Sequence, residues 1–372
     1  MKQLFENRRD RLIELAVDKE IDILMVCDPI NLLYFTGVKI TPYERFIAFL
    51  MDTRSKKVQF VLPSLERDVA KDSGITAEFY GDQDDPFSPV IEFSGSCRRI
   101  GVEKNSLALS TFEKIADGLD HRTGKEIPAS IDIGGIISDI RIRKDVTELE
   151  YLRRAARCSD EILADISAGL YIGQTEKDIT FKIMQAMAAK PKLLIHDFVI
   201  QVLAGKGSAD PHGYAGERIL KKGDPVTIDF GVCFDHYWSD CCRTFFMGPP
   251  EQKFKEIYKI VLEAQLAAIA NIRPGVAMSE IDLAARSVID NAGYGECFIH
   301  RTGHGIGLSI HEPPSIHSRN KAILSEGMVF TIEPGIYLPG LGGVRIEEDI
   351  VVNAGGCEVL TQFPKFYADM VL

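Results

Sequence analysis

The chain has 372 residues, 45% hydrophobic and 26% charged, a balance that suits two folded domains with cores of their own and excludes extended disorder. Forty-three basic against 54 acidic residues leave a net charge of −11, which repels phosphate backbones and argues against nucleic acid as a partner. No apolar run approaches the length of a membrane span, about 18 residues, and the opening MKQLFENRRDRLIELAVDKE lacks the apolar stretch of a secretion signal, so a cytoplasmic protein away from membranes is expected.

Helical and strand patterns alternate over the first 140 residues. Residues 6–19 carry helical spacing, with Leu12, Leu15 and Ala16 on one side, and Ile21–Cys27 is a short apolar run suited to a buried strand. Phe46–Met51 and Val58–Leu62 flank DTRSKK, a hairpin pattern. A helix from near Leu65, a strand at Arg99–Val102 and a helix after Ser110 continue the series. The expected class is α/β with a partly parallel sheet. Charge clusters at Asp139–Lys144, and Val146–Leu170 then reads as one long amphipathic helix. A domain boundary is placed there, dividing 1–140, an α/β domain, from 141–372. Eight cysteines, none in a CxxC spacing, are read as free thiols, mostly buried.

The second part repeats itself. Leu220, Gly223, Thr227, Ile228, Asp229 and Gly231 match Leu324, Gly327, Thr331, Ile332, Glu333 and Gly335 at a constant offset of 104 residues, acid against acid. The same offset relates Thr175 and Asp178 to Ser279 and Asp282, each pair suited to a capping box at a helix start. Helix–strand units therefore occur twice, an internal pseudo-twofold repeat.

Within the first unit Val226, Ile228 and Phe230 alternate with Thr227 and Asp229, the period of a strand, and a second strand is predicted at Tyr237–Met247. A turn near Phe234-Asp235 sets Asp229 opposite Asp240, with Cβ atoms about 5 Å apart. Two carboxylates so placed repel unless a cation or a shared proton relieves them; a longer turn would send one acid to solvent. In the second unit Glu333 stands where Asp229 stands. After a Gly- and Pro-rich loop, Val344-Arg345-Ile346-Glu347 resumes strand alternation and puts Arg345 and Glu347 on one face. Four acids from two related hairpins suit Mn²⁺ or Mg²⁺ and accept Co²⁺, Fe²⁺ or Zn²⁺. His300–Pro314, HRTGHGIGLSIHEPP, is dense in His and Gly. Glycines beside His304 permit close backbone approach, and imidazole is the nitrogen ligand such a site uses. His212 is a further loop histidine, whereas His121, His196, His236 and His317 read as solvent-facing or structural.

In this order and spacing, SADPHG, VTIDFG, HYWSDCCRTFF, HRTGHGIGLSIHEPP, EGMVFTIEPGIY and GGVRIEED, with NLLYFTG at Asn31–Gly37, resemble the creatinase/prolidase family. This peptidase group has the pita-bread fold and includes Xaa-Pro dipeptidase and aminopeptidase P. The resemblance covers essentially the whole chain and is strongest from 208 to 364. It implies an α/β creatinase-type N-terminal domain followed by an α+β pita-bread metallopeptidase domain with an internal pseudo-twofold repeat. It implies five metal ligands for two divalent cations: Asp229 on one, His304 and Glu333 on the other, Asp240 and Glu347 bridging both. Mn²⁺ or Co²⁺ is expected, with Zn²⁺ or Fe²⁺ as alternatives. The resemblance also gives catalytic parts to His212 and His311 at the tetrahedral intermediate, to Glu333 as proton shuttle and to Arg345 in support of a carboxylate. The implied activity is hydrolysis of the Xaa-Pro bond of dipeptides or short proline-containing peptides by a homodimer. A metal-dependent hydrolase or lyase of a small non-peptide substrate is the competing reading on the same fold. A non-enzymatic binding module is disfavoured, because no ligand position has been lost.

Two positions depart from the family pattern. Cys242 stands where a hydroxyl residue, often Thr, is usual, which bears on the surroundings of the ligands. Asp210 stands two positions before His212 where prolidase-like members carry an apolar residue, an acid that either acts on His212 and substrate choice or points to solvent.

Overall fold

The computed structural model describes residues 2–71, 73–95, 97–123, 128–194 and 200–372; His196 and the side chain of His121 lie outside what is described. The chain divides into two compact units, Met1–Arg141 and Ile142–Leu372.

The first unit is built on a six-stranded mixed sheet in the order Ala77–Tyr80, Val58–Pro63, Ala48–Asp52, Ile23–Val26, Arg99–Val102, Ala129–Asp132. The apolar run after Ile21 supplies a strand buried along its whole length, parallel to Arg99–Val102 and antiparallel to Ala48–Asp52. The DTRSKK hairpin forms, with Leu50 across from Gln59, and the Asp52 carboxylate accepts the amides of Arg54 and Ser55 in its turn. The helix from Leu65 shrinks to a 3₁₀ turn, Ser64–Glu66, running into Arg67–Lys71. A helix at Pro29–Thr36 was not anticipated. Asp28 caps its start through the amides of Ile30 and Asn31, and Gly37, at φ 74°, ends it, a position in the left-handed region that favours glycine.

In the second unit the long amphipathic pattern becomes the Val146–Ala168 helix, opened by a capping box between Asp145 and Glu148. Further helices run at Glu176–Ala188, Gln252–Asn271 and Met278–Asn291. Beside them, among the described residues, lie three sheets. One contains the hairpin Pro225–Phe234/Tyr237–Phe246 with Leu193–Leu194 and Gln201–Ala204. Another is ordered Glu312–Ile316, Gly303–Gly305, Val329–Ile332, Glu348–Asn353, Gly356–Val359, and a two-stranded ribbon pairs Gly335–Leu338 with Gly342–Arg345. One core cluster fuses helices and sheets, joining Ile162, Ile183, Phe230, Phe246, Val261, Ile281, Phe330 and Ile350. No helix among the described residues is long and apolar enough to cross a membrane.

The internal repeat is visible in the backbone. Gly173 donates to Leu220 and Glu176 to Arg218; Gly275 donates to Leu324 and Met278 to Ala322. The strand positions keep the 104-residue offset, but the helix starts are 102 apart, because the second helix begins after Ala277 and not at Ser279. Thr175 and Asp178 do form the predicted capping box. Asp282 does not cap: it is wholly buried, ion-paired to Arg286, and accepts from the amide and hydroxyl of Thr302. A burial expectation also fails. Of the eight free cysteines, Cys233, Cys241 and Cys242 are buried and the other five are partly exposed.

Candidate metal centre

The hairpin Pro225–Phe234/Tyr237–Phe246 turns through Asp235 and His236, at φ 50° and 78°. Two consecutive residues in the left-handed region match the two-residue turn that suits the twist of paired strands. Phe234 therefore pairs with Tyr237, which sets Asp229 opposite Cys242 and Asp240 opposite Gly231. The two acids are diagonal neighbours, not directly opposed as the sequence had suggested. They still share one face, because a shift of two residues preserves the pleat. Val226, Ile228, Phe230 and Cys241 enter the core from the other face.

The second half supplies the rest. His304 lies in the short strand Gly303–Gly305, between its neighbours Glu312–Ile316 and Val329–Ile332. The flanking glycines are required by proximity: a Cβ on Gly303 would stand 1.8 Å from the Thr331 carbonyl oxygen, and one on Gly305 2.2 Å from that of Pro313. Glu333 follows directly on Val329–Ile332, its amide donating to Thr302. Arg345 and Glu347 do not lie on one continuous strand. Arg345 ends the ribbon strand, Glu348 starts another, and Glu347 lies in the break. Its amide donates to the Cys242 carbonyl, which brings it against the first hairpin.

Asp229, Asp240, His304, Glu333 and Glu347 line a single cavity of about 340 Å³, with His212, His311, Arg345, Gln201, His300 and Arg301 among its other walls. His304 Nε2 lies 3.5 Å from Glu333 and 3.9 Å from Asp240. Donor atoms of Asp240, His304 and His311, of Asp229, Cys242 and Glu347, and of His304, Glu333 and Glu347 form three groups, each within 4.8 Å. Burial first, and then neighbouring acids, chiefly Asp229 for Asp240 and Asp240 for Glu347, push the Asp240 and Glu347 carboxyls well above the usual range. Burial also raises Glu333, against the pull of Arg345. One oxygen of Glu347, Oε1, is buried with no hydrogen-bond partner, a costly state for a carboxylate. Burial, and then His311, lower His304 to about 3. It is neutral at pH 7, and with Nδ1 on the Gly305 carbonyl its Nε2 lone pair faces the acids. Hard oxygens, an unprotonated imidazole and an orphaned carboxylate oxygen fit divalent cations.

Around these donors runs a layer of which the sequence had pointed to Arg345 alone. Arg345 donates from Nε to Asp229 at 3.0 Å and from Nη2 to Gln201 at 2.9 Å, and its Nη1 donates to the Tyr337 hydroxyl at 3.0 Å. Tyr337 donates in turn to His300 Nε2 at 2.8 Å, since His300 Nδ1 serves the Arg301 carbonyl and burial lowers His300 to about 4. Asp349 accepts the Asp240 amide at 3.1 Å and is raised by burial to about 8. Asp349 had a signal, as it lies two residues beyond Glu347 in the same acidic run; Gln201 and Tyr337 had none. Asp210 accepts the His212 amide at 3.0 Å and so shapes the loop backbone. His212 itself is exposed. The His311 ring lies 3.9 Å from that of His304, and partial burial and Arg301 lower its pKa. His236 occupies the hairpin turn, and His317 accepts the Arg319 amide.

The family model of metallopeptidase family M24 matches residues 150–354, and that of the creatinase/prolidase N-terminal domain matches residues 8–143. An uncharacterized peptidase of Staphylococcus aureus is 36% identical over 357 residues, covering 95% of this chain and 99% of its own. Among solved structures, the Xaa-Pro dipeptidase from Bacillus anthracis is 32% identical with a TM-score of 0.89 over 97% of this chain and 99% of its own. The X-Pro aminopeptidase from Thermotoga maritima is 31% identical with a TM-score of 0.83 over 94% and 99%.

Proposed function

This chain belongs to metallopeptidase family M24, with a creatinase/prolidase N-terminal domain ahead of a pita-bread catalytic domain, and from that premise we propose that it is a dinuclear-metal exopeptidase cleaving the Xaa-Pro bond of dipeptides or short peptides. The observation that carries the reading is the convergence of Asp229, Asp240, His304, Glu333 and Glu347 on one cavity in which a buried carboxylate oxygen has no partner. Asp229 would hold one cation, His304 and Glu333 the other, and Asp240 and Glu347 both. Divalent cations, when bound, supply Lewis-acid polarisation of the scissile carbonyl and activation of water at neutral pH.

The chain's own residues do the rest. Glu333 takes a proton from the attacking water as the C–O bond forms and returns it to the leaving nitrogen as the C–N bond breaks. That delivery matters for an Xaa-Pro bond, whose nitrogen carries no hydrogen of its own. His212 and His311 donate ring N–H groups to the oxygen on which charge develops. Arg345 holds Asp229 in place. Preference for proline is supported by the named activities of the two solved relatives. The same reading carries a homodimer, which sedimentation would test.

The direct test is product analysis by mass spectrometry on metal-stripped protein reloaded with Mn²⁺ or Co²⁺. Xaa-Pro dipeptides, Xaa-Pro-Xaa tripeptides and creatine are offered together, with Asp240→Ala as control. Metal-dependent release of the first residue is expected, and the preferred length separates dipeptidase from aminopeptidase. A protein that holds two metals and cleaves no peptide would overturn the reading.

A further inference from the structure

Adjacent cysteines on a strand point to opposite faces. Cys241 enters the core, while Cys242 lies across from Asp229 on the face that carries Asp240. Its Sγ and one oxygen each of Asp229 and Glu347 all lie within 4.8 Å of one another. With metal–donor bonds of about 2.0–2.3 Å, two donors on one cation stand about 3–4 Å apart, so small side-chain shifts would close this group on an ion. An independent feature points to the same place: Glu347 is 1% exposed and lines the cavity, and its Oε1 has no hydrogen-bond partner.

Little holds the thiol elsewhere. Its contact to the Arg345 carbonyl is 3.8 Å, and that carbonyl already accepts the Thr244 hydroxyl at 3.0 Å. Thiol S–H groups are weak donors.

We propose that Cys242 is a further metal ligand, binding through sulfur the cation held by Asp229 and Glu347 and biasing that position toward thiophilic ions such as Zn²⁺ and Co²⁺ over Mn²⁺. The inference rests on the metal-centre reading above and goes beyond it. A hydroxyl at this position is a hard, weakly coordinating donor, whereas a thiolate favours softer ions. Coordination releases the thiol proton to solvent.

The test is titration of the full-length, metal-stripped and reduced protein with Co²⁺, followed by absorption. The expected result is an intense near-ultraviolet sulfur-to-cobalt charge-transfer band that grows with bound Co²⁺ and is missing from Cys242→Thr and Cys242→Ser, both of which still bind Co²⁺. In chelator competition, Zn²⁺ affinity relative to Mn²⁺ is expected to fall by about tenfold or more in Cys242→Thr. Visible cobalt bands without the near-ultraviolet band in the unaltered protein would overturn the sulfur ligand and leave the metal centre standing. A band that survives both substitutions, or an unchanged Zn²⁺/Mn²⁺ ratio, would also overturn it. Failure to take up Co²⁺ at all would overturn the centre and the inference together.

Discussion

Arg345 directs both its Nε and its Nη2 at a single oxygen of Asp229, Oδ2. The ion pair is mostly out of water, with the two side chains 5% and 16% exposed. It fixes the carboxylate from behind and joins the two hairpins of the repeat, which lie more than a hundred residues apart.

Arg345→Met leaves the Asp229 charge without its partner. The metal-free protein is expected to lose about 3–5 kcal/mol of stability, part of which returns when a divalent cation takes over the neutralisation. Urea unfolding in chelator and in Mn²⁺ checks this, and equal midpoints for parent and variant in chelator would contradict it.

Asp240→Asn works in the other direction. Burial, and then its neighbours Asp229, Asp349 and Glu333, hold the Asp240 carboxyl far above the usual range. Replacing this raised carboxyl with a neutral amide of the same size should stabilise the metal-free protein near pH 8 by about 0.5–2 kcal/mol while bound metal falls below that of the parent. Denaturation and elemental analysis of the same samples read both effects. A variant that is less stable without metal would count against the repulsion argument.

The pH dependence has a definite sign. Burial raises Asp349 and Glu333 to about 8, so the folded metal-free protein keeps protons that the unfolded chain has already released. Their contribution to stability is complete below the ordinary carboxylate range and is lost as pH rises through about 8. Calorimetry on stripped protein should show Tm falling from about pH 5 to about pH 8.5, with a flatter profile when metal is bound. A Tm that rises across that window in chelator would contradict the assignment.

Gly303→Ala tests the close approach beside His304. A Cβ there meets the Thr331 carbonyl at 1.8 Å, and the contact is backbone, so no side chain can move aside. Destabilisation of about 3 kcal/mol or more is expected. A change within about 0.5 kcal/mol, the usual range at unconstrained surface positions, would show that the strands can separate.

Much of the first unit could be read from the sequence because its elements are set locally. The Ile21–Cys27 run, the DTRSKK hairpin and the Arg99–Val102 strand all form. The helix after Pro29 escaped because eight mostly apolar residues show no amphipathic period. In the second unit the repeat, the face of Asp229 and the need for glycine around His304 were all visible in residue type and spacing.

By itself the sequence determined the residue types available to the cavity and the strand face that Asp229 and Asp240 share. Side-chain alternation is a property of the backbone, and a conserved offset between halves survives any detail of packing. The tertiary structure decided register and company. Positive φ at Asp235 and His236 moved Asp240 from opposite Asp229 to its diagonal and set Cys242 there instead. Bonds spanning a hundred residues attached Glu347 to Cys242, Asp349 to Asp240 and Arg345 to Asp229. Such bonds join residues far apart in the chain across the two halves of the repeat, so no local pattern of residues encodes them.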